Sequence, residues 1–293
     1  MPLSEFLCTY APALPELLAK VERTAPARFK RTRRPHGVLL AVVSGASQGR
    51  LHPLRGEAIA VRGSIAVFGE RDGHDRDGAA EWQARAPYLA ACLVGRATPD
   101  GPVEVLKAYL HPCAGPGHLM LVDSDLERRT LAQLLRLQAW LLRQRGIQVA
   151  IEKPLFDIGY AAEPAADTVD DGKGKSRPEG DEEAREPCLP DFLLWARPAP
   201  RGGHEAVIVE TMGYADVPYR ERKARTHALM RRVLHGAPLV SHDFHLPAEQ
   251  PQNERDRRFW RDCRWAVTGP EERASDATPA AGRLGCPSDA SAR

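Results

Sequence analysis

The sequence predicts an α/β fold in the C-terminal half of the chain, preceded by a smaller α+β region. In the C-terminal half, amphipathic segments and short apolar runs follow the order helix, three strands, helix, strand. In the N-terminal part the apolar runs are strand-like but show no such regular order. The chain has 293 residues, of which 43% are hydrophobic and 27% charged, so its composition is that of a packed globular protein.

Composition also predicts how the chain is divided. We expect an α+β region of unknown role over residues 1–122 and a second domain over residues 123–268. Residues 161–187 and the tail 269–293 are rich in proline, glycine and charge and contain few large apolar residues. Such segments cannot bury enough apolar surface to offset their ordering entropy, so both are predicted to be disordered.

The N-terminal region contains three strand-like runs, at residues 37–43, 58–69 and 103–110. Residues 81–95 are predicted as a helix, although Pro87 in the middle favours a later start. These patterns indicate an α+β arrangement and assign no chemistry to it.

The second domain is more regular, and each predicted element has a recognisable boundary. The first helix has Asp123 or Ser124 as its N-cap and Gly146 as its stop. The second helix has proline in its first turn and glycine at its end. The predicted elements are a helix at 123–146, strands at 147–155, 188–196 and 204–212, a helix at 217–236 and a strand at 237–244.

Two carboxylates fall at the ends of these predicted strands. Asp191 lies near the start of the second strand, and Glu210 follows the apolar run of the third. On neighbouring strands the two side chains can converge on one cation. Magnesium takes oxygen ligands, commonly one or two carboxylates plus water, and such an ion assists phosphodiester hydrolysis. The alternative is a purely structural role, in which Asp191 caps a turn and Glu210 is the first exposed residue after its strand.

The motifs "PD" at Pro190-Asp191 and "ETM" at Glu210–Met212, in this order of elements, resemble those of the PD-(D/E)XK nuclease superfamily. The resemblance covers roughly residues 123–245. It implies a restriction-endonuclease-like αβββαβ core and an endonuclease or exonuclease that hydrolyses DNA with Mg²⁺ or Mn²⁺ bound by Asp191 and Glu210. The segments "PDFLL" and "VETMGY" are also similar to uncharacterised nuclease-like proteins of bacterial plasmids and integrative elements.

A third acid often accompanies this fold on its first helix, and Glu127 is the candidate. At about 100° per residue, Glu127 lies in the middle of the apolar stripe that continues through Leu131 and Leu134. A carboxylate facing the core costs free energy unless it is paired or bound to a cation. We therefore predict that Glu127 binds a second ion or orients water. Its alternative role is to stabilise the helix N-terminus.

The lysine of the family's E-x-K pattern is replaced here by Met212. On the next helix, Lys223 lies at the centre of the inward stripe, with Tyr219 and His227 at i−4 and i+4. We predict that the Lys223 amine takes over the missing role, that Met212 packs inward, and that Lys223→Ala abolishes cleavage with little effect on metal binding. Lys153, which ends the first strand beside Glu152, is the alternative source of the amine. Because side chains alternate between the two faces of a strand, Glu152 and Lys153 point to opposite faces, and only one of them can face the site. Alternatively, Lys223 is a surface lysine whose aliphatic stem covers apolar area while its amine stays in solvent.

An alternative function follows from Met212: a catalytically inactive nuclease fold that serves as a DNA-binding or assembly module. In either case DNA is the expected partner. Two groups of basic residues can contact phosphate: the cluster at 28–34 and the arginines of 220–232. For the cluster at 28–34, ordinary solvent-exposed surface charge is an equally good explanation. His242, Asp243 and His245 form a metal-like pattern for which we expect a structural role.

Several classes of protein are not indicated. The net charge of +2 does not suggest a general nucleic-acid binder, and no phosphate-binding G-x-x-x-x-G-K-[ST] loop is present. The six cysteines show no C-x-x-C spacing, no signal peptide is apparent, and no apolar stretch approaches the roughly 20 residues of a membrane span. We expect reduced thiols and a cytoplasmic protein without membrane contact.

Overall fold

The computed structural model describes residues 7–9, 11–28, 35–68, 85–159, 187–197, 202–245 and 247–269, with side chains of 24–28 excepted. Apart from residues 28, 187 and 269 at their edges, the basic cluster predicted at 28–34 and the disordered segments predicted at 161–187 and 269–293 lie outside these residues. Contacts group the chain into two units, residues 1–132 and 133–293.

The first unit contains one helix and one sheet of eight strands among its described residues. Its elements are β1 Leu7–Cys8, a 3-10 turn Ala11–Ala13, α1 Leu14–Arg28, β2 Gly37–Ser47, β3 Arg50–Pro53, β4 Ile59–Ala60, β5 Ile65–Val67, β6 Tyr88–Arg96, β7 Val103–Gly115 and β8 His118–Leu121. The strand order is β4-β3-β2-β6-β7-β5, with β1 added beside β2 and β8 beside β7. The predicted α+β character is confirmed, and β2 and β7 contain the strands predicted at 37–43 and 103–110. The run at 58–69 instead forms two short strands, β4 and β5, separated by residues 61–64, and residue 69 lies outside the described part of the chain.

The helix predicted at 81–95 is wrong for the part that the structure describes. Residues from Tyr88 to Arg96 form β6, which pairs with β2 on one side and β7 on the other. A continuous apolar run suits a buried strand as well as a helix. Two antiparallel neighbours satisfy the backbone of β6, and Pro87 lies just before its first residue, where it removes no ladder hydrogen bond. Residues 81–84 lie outside the described part of the chain.

The second unit carries the predicted order of helix, three strands, helix and strand, which is confirmed. Its elements are α2 Asp125–Arg145, which begins before the unit boundary, then β9 Gln148–Glu152, β10 Phe192–Arg197, β11 Ala206–Met212, α3 Val217–Val233, β12 Leu239–Asp243 and α4 Gln252–Thr268. The strand order is β12-β11-β10-β9. β10 is antiparallel to both of its neighbours, β9 and β11, whereas β12 runs parallel to β11.

Burial follows the position of each strand in this sheet. β11 lies between two neighbours, and all of its residues from Val207 to Met212 are buried. β9 at one edge alternates between buried and more exposed positions, as a strand with one covered face does. On one face, Leu193 of β10 and Ile208 of β11 pack with Met230 of α3. α4 packs against β11 and β12.

The helix ends in this unit have specific causes. Asp216 caps α3 by accepting a hydrogen bond from the backbone N–H of Tyr219 at 2.9 Å. Gly146 follows α2 with a φ of 66°, a left-handed conformation that glycine adopts without steric cost. Gly146 thus directs the chain from α2 into β9, and Asp216 marks where the chain passes from β11 into α3. Within the described residues, every helix is too short or too polar to span a bilayer.

Candidate active site

Asp191 and Glu210 are held together by reciprocal hydrogen bonds between β10 and β11. Asp191 directly precedes β10, and its backbone N–H donates to Oε1 of Glu210 at 3.0 Å. In return, the backbone N–H of Thr211 donates to Oδ2 of Asp191 at 2.6 Å. The register Phe192 opposite Val209 brings these ends of the two strands to the same place. Glu210 is fully buried, and the Asp191 side chain is 15% exposed.

Lys223 reaches both carboxylates from α3. Its Nζ donates to Oε2 of Glu210 at 2.6 Å and lies 3.9 Å from Oδ1 of Asp191. The sequence placed Lys223 on the inward stripe of its helix, and the structure brings its amine to the predicted pair of acids. Burial alone lowers the pKa of this amine, but the charges of Asp191 and Glu210 outweigh that effect and raise the pKa above its ordinary value.

His227 is the fourth member of this cluster, one turn after Lys223 on α3. Its Nε2 lies 3.3 Å from Oε2 of Glu210, and since a carboxylate only accepts hydrogen bonds, this nitrogen carries the proton. Burial raises the pKa of Glu210, but the hydrogen bond from His227 and the charge of Lys223 bring the pKa below its ordinary value. Glu210 is therefore ionised at neutral pH inside the protein.

Tyr219 closes the side of the cluster next to the end of β11. Its hydroxyl lies 3.3 Å from the carbonyl oxygen of Thr211 and 3.4 Å from the backbone nitrogen of Gly213. The pKa of Tyr219 is raised, chiefly by burial. The sequence identified Tyr219 and His227 only as neighbours of Lys223. Their i−4 and i+4 spacing was the available signal, and their contacts with β11 depend on the packing of α3.

Met212 lies two residues after Glu210 and is 5% exposed, so it packs inward as expected if another residue supplies the amine. The rival Lys153 has its Nζ 5.6 Å from the ring centroid of Phe192, whose neighbour in the chain is Asp191. Glu152, before it, accepts a hydrogen bond from the indole N–H of Trp195 at 2.9 Å. Lys223 forms ion pairs with both Asp191 and Glu210.

Glu127 is also buried, at 6% exposure, and two hydrogen bonds hold it at the start of its own helix. One carboxylate oxygen accepts from the backbone N–H of Asp123 at 2.9 Å, and the backbone N–H of Glu127 donates to the hydroxyl of Ser124 at 3.1 Å. Ser124 is thus the N-cap of α2. Glu127 acts as the acid of a capping box, except that it binds the backbone N–H of the residue before the N-cap. This explains its inward position, and its role in catalysis stays a prediction.

The histidine-rich segment at the end of β12 has separate structural partners. His242 is fully buried, stacks on Phe259 with centroids 4.2 Å apart, and has Nε2 3.0 Å from Asp256. Asp243 pairs with Arg220, and the ring of His245 contacts the carbonyl oxygen of Gly213 at 2.7 Å. These contacts account for the segment as structure.

The donors at the acid pair fit one hard divalent cation in part. Among the described residues, no three His, Cys, Asp or Glu side chains converge as a metal-binding group. Two carboxylates do meet, and magnesium commonly takes only one or two carboxylates while retaining several waters. The oxygens of Asp191 and Glu210 thus supply an adequate protein share of such a site, with Lys223 as an ammonium already beside them.

Comparison with protein families agrees with this topology. A family model described as a restriction endonuclease-like C-terminal domain matches residues 123–266. The match begins just before α2 and ends within α4, so it contains every element of the αβββαβ order. The chain belongs to the restriction-endonuclease-like nuclease superfamily. This class has a nuclease fold and generally uses divalent metals.

The chain is also similar to a particular curated relative, an Escherichia coli protein described as "Uncharacterized protein in cib 5'region". The two are 34% identical over 179 residues, which cover 60% of this chain and 73% of the relative. No solved structure matches the chain. The relative's description assigns no activity, so the chemistry has to be argued from the site itself.

Proposed function

We propose that this protein is a metal-dependent nuclease that hydrolyses phosphodiester bonds in DNA. The observation that carries the proposal is the Lys223 ammonium placed against Asp191 and Glu210 at the strand ends. Two carboxylates and an amine are the groups that the superfamily pattern implies, and here the amine comes from α3 because Met212 occupies its usual position.

Each residue has a defined part in this chemistry. Asp191 and Glu210 would hold Mg²⁺ or Mn²⁺, which when bound activates water and offsets negative charge on the phosphate. Lys223 donates hydrogen bonds and positive charge where the transition state gains negative charge. His227 fixes one oxygen of Glu210, and the backbone N–H of Thr211 fixes one oxygen of Asp191. These contacts preorganise the acids.

The first test is cleavage of single-stranded, duplex and branched DNA with Mn²⁺ by the wild type and Asp191→Asn. The substitution removes the negative charge and keeps the side-chain shape. We expect activity to fall by about 10²-fold or more, as for the loss of an electrostatic catalytic group. Glu205→Gln is the matched control because Glu205 is exposed just before β11. Undiminished cleavage by folded Asp191→Asn contradicts the catalytic proposal.

The second test concerns the amine. Lys223→Met removes it, and adding Met212→Lys returns an amine to the position of the family pattern. We expect Lys223→Met to lose cleavage and the double variant to regain part of it. Circular dichroism checks folding, since lysine at the buried position 212 costs about 1–3 kcal/mol if its charge finds no partner. Full activity of Lys223→Met would move the search to Lys153.

A second candidate function is a nuclease fold that binds DNA without cutting it, and Met212 in the E-x-K position favours it. Metal dependence separates the two. A site that binds cation only when folded gains apparent stability from added Mg²⁺, whereas an inactive module binds DNA equally with chelator present. Thermal unfolding and DNA binding with and without EDTA measure both. The association with plasmids or integrative elements stays a prediction.

A further inference from the structure

The Glu210 carboxylate has three hydrogen-bond partners within the protein. It is fully buried, and Oε1 accepts the backbone N–H of Asp191 at 3.0 Å. Oε2 accepts from Lys223 at 2.6 Å and from His227 at 3.3 Å. Removing one partner of a buried ion pair leaves an uncompensated charge and is strongly destabilising. Lys223 therefore stabilises the metal-free fold as well as standing beside the acids.

The position of the amine conflicts with a cation shared by the two carboxylates. Magnesium binds oxygen at about 2.0–2.1 Å, and the Lys223 nitrogen already lies 2.6 Å from Oε2 of Glu210 and 3.9 Å from Oδ1 of Asp191. A divalent ion on the same oxygen would lie a few ångströms from the ammonium. In a site screened little by water, that repulsion is large.

We infer that Lys223 is the resident counter-cation of Glu210 and that a divalent metal ion has to displace its amine from that carboxylate, so Lys223 lowers the metal affinity of the site. The inference rests on the proposed metal-dependent function. It revises the sequence-based expectation that Lys223→Ala leaves metal binding nearly unchanged.

The side chain of Lys223 is suited to such an exchange. It is 19% exposed, so part of the side chain reaches solvent. Four rotatable side-chain bonds let the amine leave Glu210 while its backbone stays in α3. Once displaced, the amine can meet a phosphate oxygen, which links metal binding to the arrival of the catalytic charge. Metal-free protein then keeps the amine away from substrate.

The direct test is calorimetric titration of Mn²⁺ into metal-free full-length protein without DNA. We expect Lys223→Met to bind Mn²⁺ at least about tenfold more tightly than the wild type, since the competing charge is gone. Arg231→Met is the matched control because it removes one positive charge from an exposed position on the same helix. It should bind like the wild type. Equal or weaker binding by Lys223→Met overturns the inference.

Where Lys223→Met is unfolded without metal, circular dichroism during Mn²⁺ addition replaces calorimetry. The inference requires that Mn²⁺ restores the folded spectrum, because the ion takes the place of the missing ammonium. Failure of Mn²⁺ to restore it overturns the inference.

A second measurement uses the wild type and does not depend on folding of a variant. Reductive dimethylation followed by peptide mass spectrometry reports how accessible each lysine amine is. We expect Lys223 to be protected in metal-free protein and labelled faster with Mn²⁺ present, while the exposed Lys107 serves as the internal reference. Identical labelling of Lys223 in both states overturns the inference.

These outcomes are separable from failure of the nuclease proposal because no DNA is present. Tighter Mn²⁺ binding by Lys223→Met without DNA cleavage by the wild type supports the inference and removes the nuclease function. Cleavage by the wild type with no gain in metal affinity in Lys223→Met supports the nuclease function and overturns the inference.

Discussion

Two buried glutamates, at the start of α2 and the end of β11, are stabilised in different ways. Glu127 is 6% exposed and accepts a hydrogen bond from the backbone N–H of Asp123, just before its own helix. Glu210 is fully buried, and its Oε2 is bound by the side chains of Lys223 and His227 from another element. One carboxylate completes a helix end, whereas the other is balanced by charge brought from a distance along the chain.

This difference shows why burial alone does not identify a catalytic acid. A backbone N–H at a helix start favours a carboxylate for purely structural reasons. A lysine placed against two carboxylates is harder to explain by stability, because replacing a buried ion pair with apolar residues is often neutral or stabilising. The contrast makes the end of β11 the stronger candidate site. Substitutions at Lys223 and at Glu127 test the two halves of the comparison.

The largest expected effect is the loss of stability in Lys223→Ala. Removing the amine leaves the Glu210 charge buried without its cation, which costs about 3–5 kcal/mol in comparable buried pairs. Urea unfolding without metal measures the change. Arg231→Ala, at an exposed position on the same helix, should stay within about 0.5 kcal/mol of the wild type. A similar small change in Lys223→Ala would show that the ion pair contributes little.

A smaller effect should follow from acid. The pKa of Glu210 is below its ordinary value, so its contribution to stability is complete above the unfolded-state pKa of about 4.3 and is lost as pH falls through the folded-state pKa. The pKa of Lys223 is raised, so its contribution is complete below about pH 10.4 and is lost as pH rises through the folded-state pKa.

Urea unfolding from pH 3 to pH 10 tests these directions. It compares the wild type with the double variant Lys223→Met and Glu210→Gln, in which both charges are absent. The unfolding free energy of the wild type relative to that of the variant should fall as the pH drops below about 4, because the wild type alone loses the contribution of Glu210. A difference that stays the same at the acid end would mean that Glu210 does not titrate as the structure indicates.

Glu127→Ala should cost less than Lys223→Ala, about 0.5–2 kcal/mol, because it removes a helix-end hydrogen bond. Glu127→Gln should keep most of the stability, since glutamine also completes a capping box. Mn²⁺ titration of Glu127→Gln tests the catalytic prediction at the same time. Unchanged affinity supports a helix-end role alone, whereas a clear loss would return Glu127 to the metal ligands.

The smallest expected effect is that of Met212→Leu. Both side chains are apolar and similar in volume, so the stability change should be less than about 1.5 kcal/mol. DNA cleavage should be retained, because the proposed amine comes from Lys223. Thermal unfolding and the Mn²⁺ cleavage assay measure the two properties. Loss of cleavage in a stable Met212→Leu would mean that Met212 does more than pack.

The order of elements in the second unit could be predicted because each apolar run ends at a specific residue. Gly146 ends α2, and Asp216 with Pro218 starts α3. α4 was not predicted because its buried residues Phe259, Cys263 and Val267 form a single narrow stripe in a strongly polar segment. α1 was not predicted, and its prolines at 15 and 26 weaken a helical pattern.

The acid pair could be predicted from strand ends, and Lys223 from the helical stripe. What the sequence could not supply was the packing of α3, which decides that Lys223 and His227 meet the same oxygen of Glu210. The run that became β6 illustrates the same limit, because its two sheet neighbours, and not its own residues, decide between strand and helix.

The reciprocal hydrogen bonds between Asp191 and the Glu210–Thr211 segment have a consequence for protein synthesis. Asp191 leaves the ribosome 19 residues before Glu210, and the α3 residues that complete the cluster follow later. Until β10 and β11 pair in the correct register, the two carboxylates are distant groups on a growing chain. The acid pair therefore exists only after β10 and β11 have paired, which separates synthesis of the chain from assembly of the site.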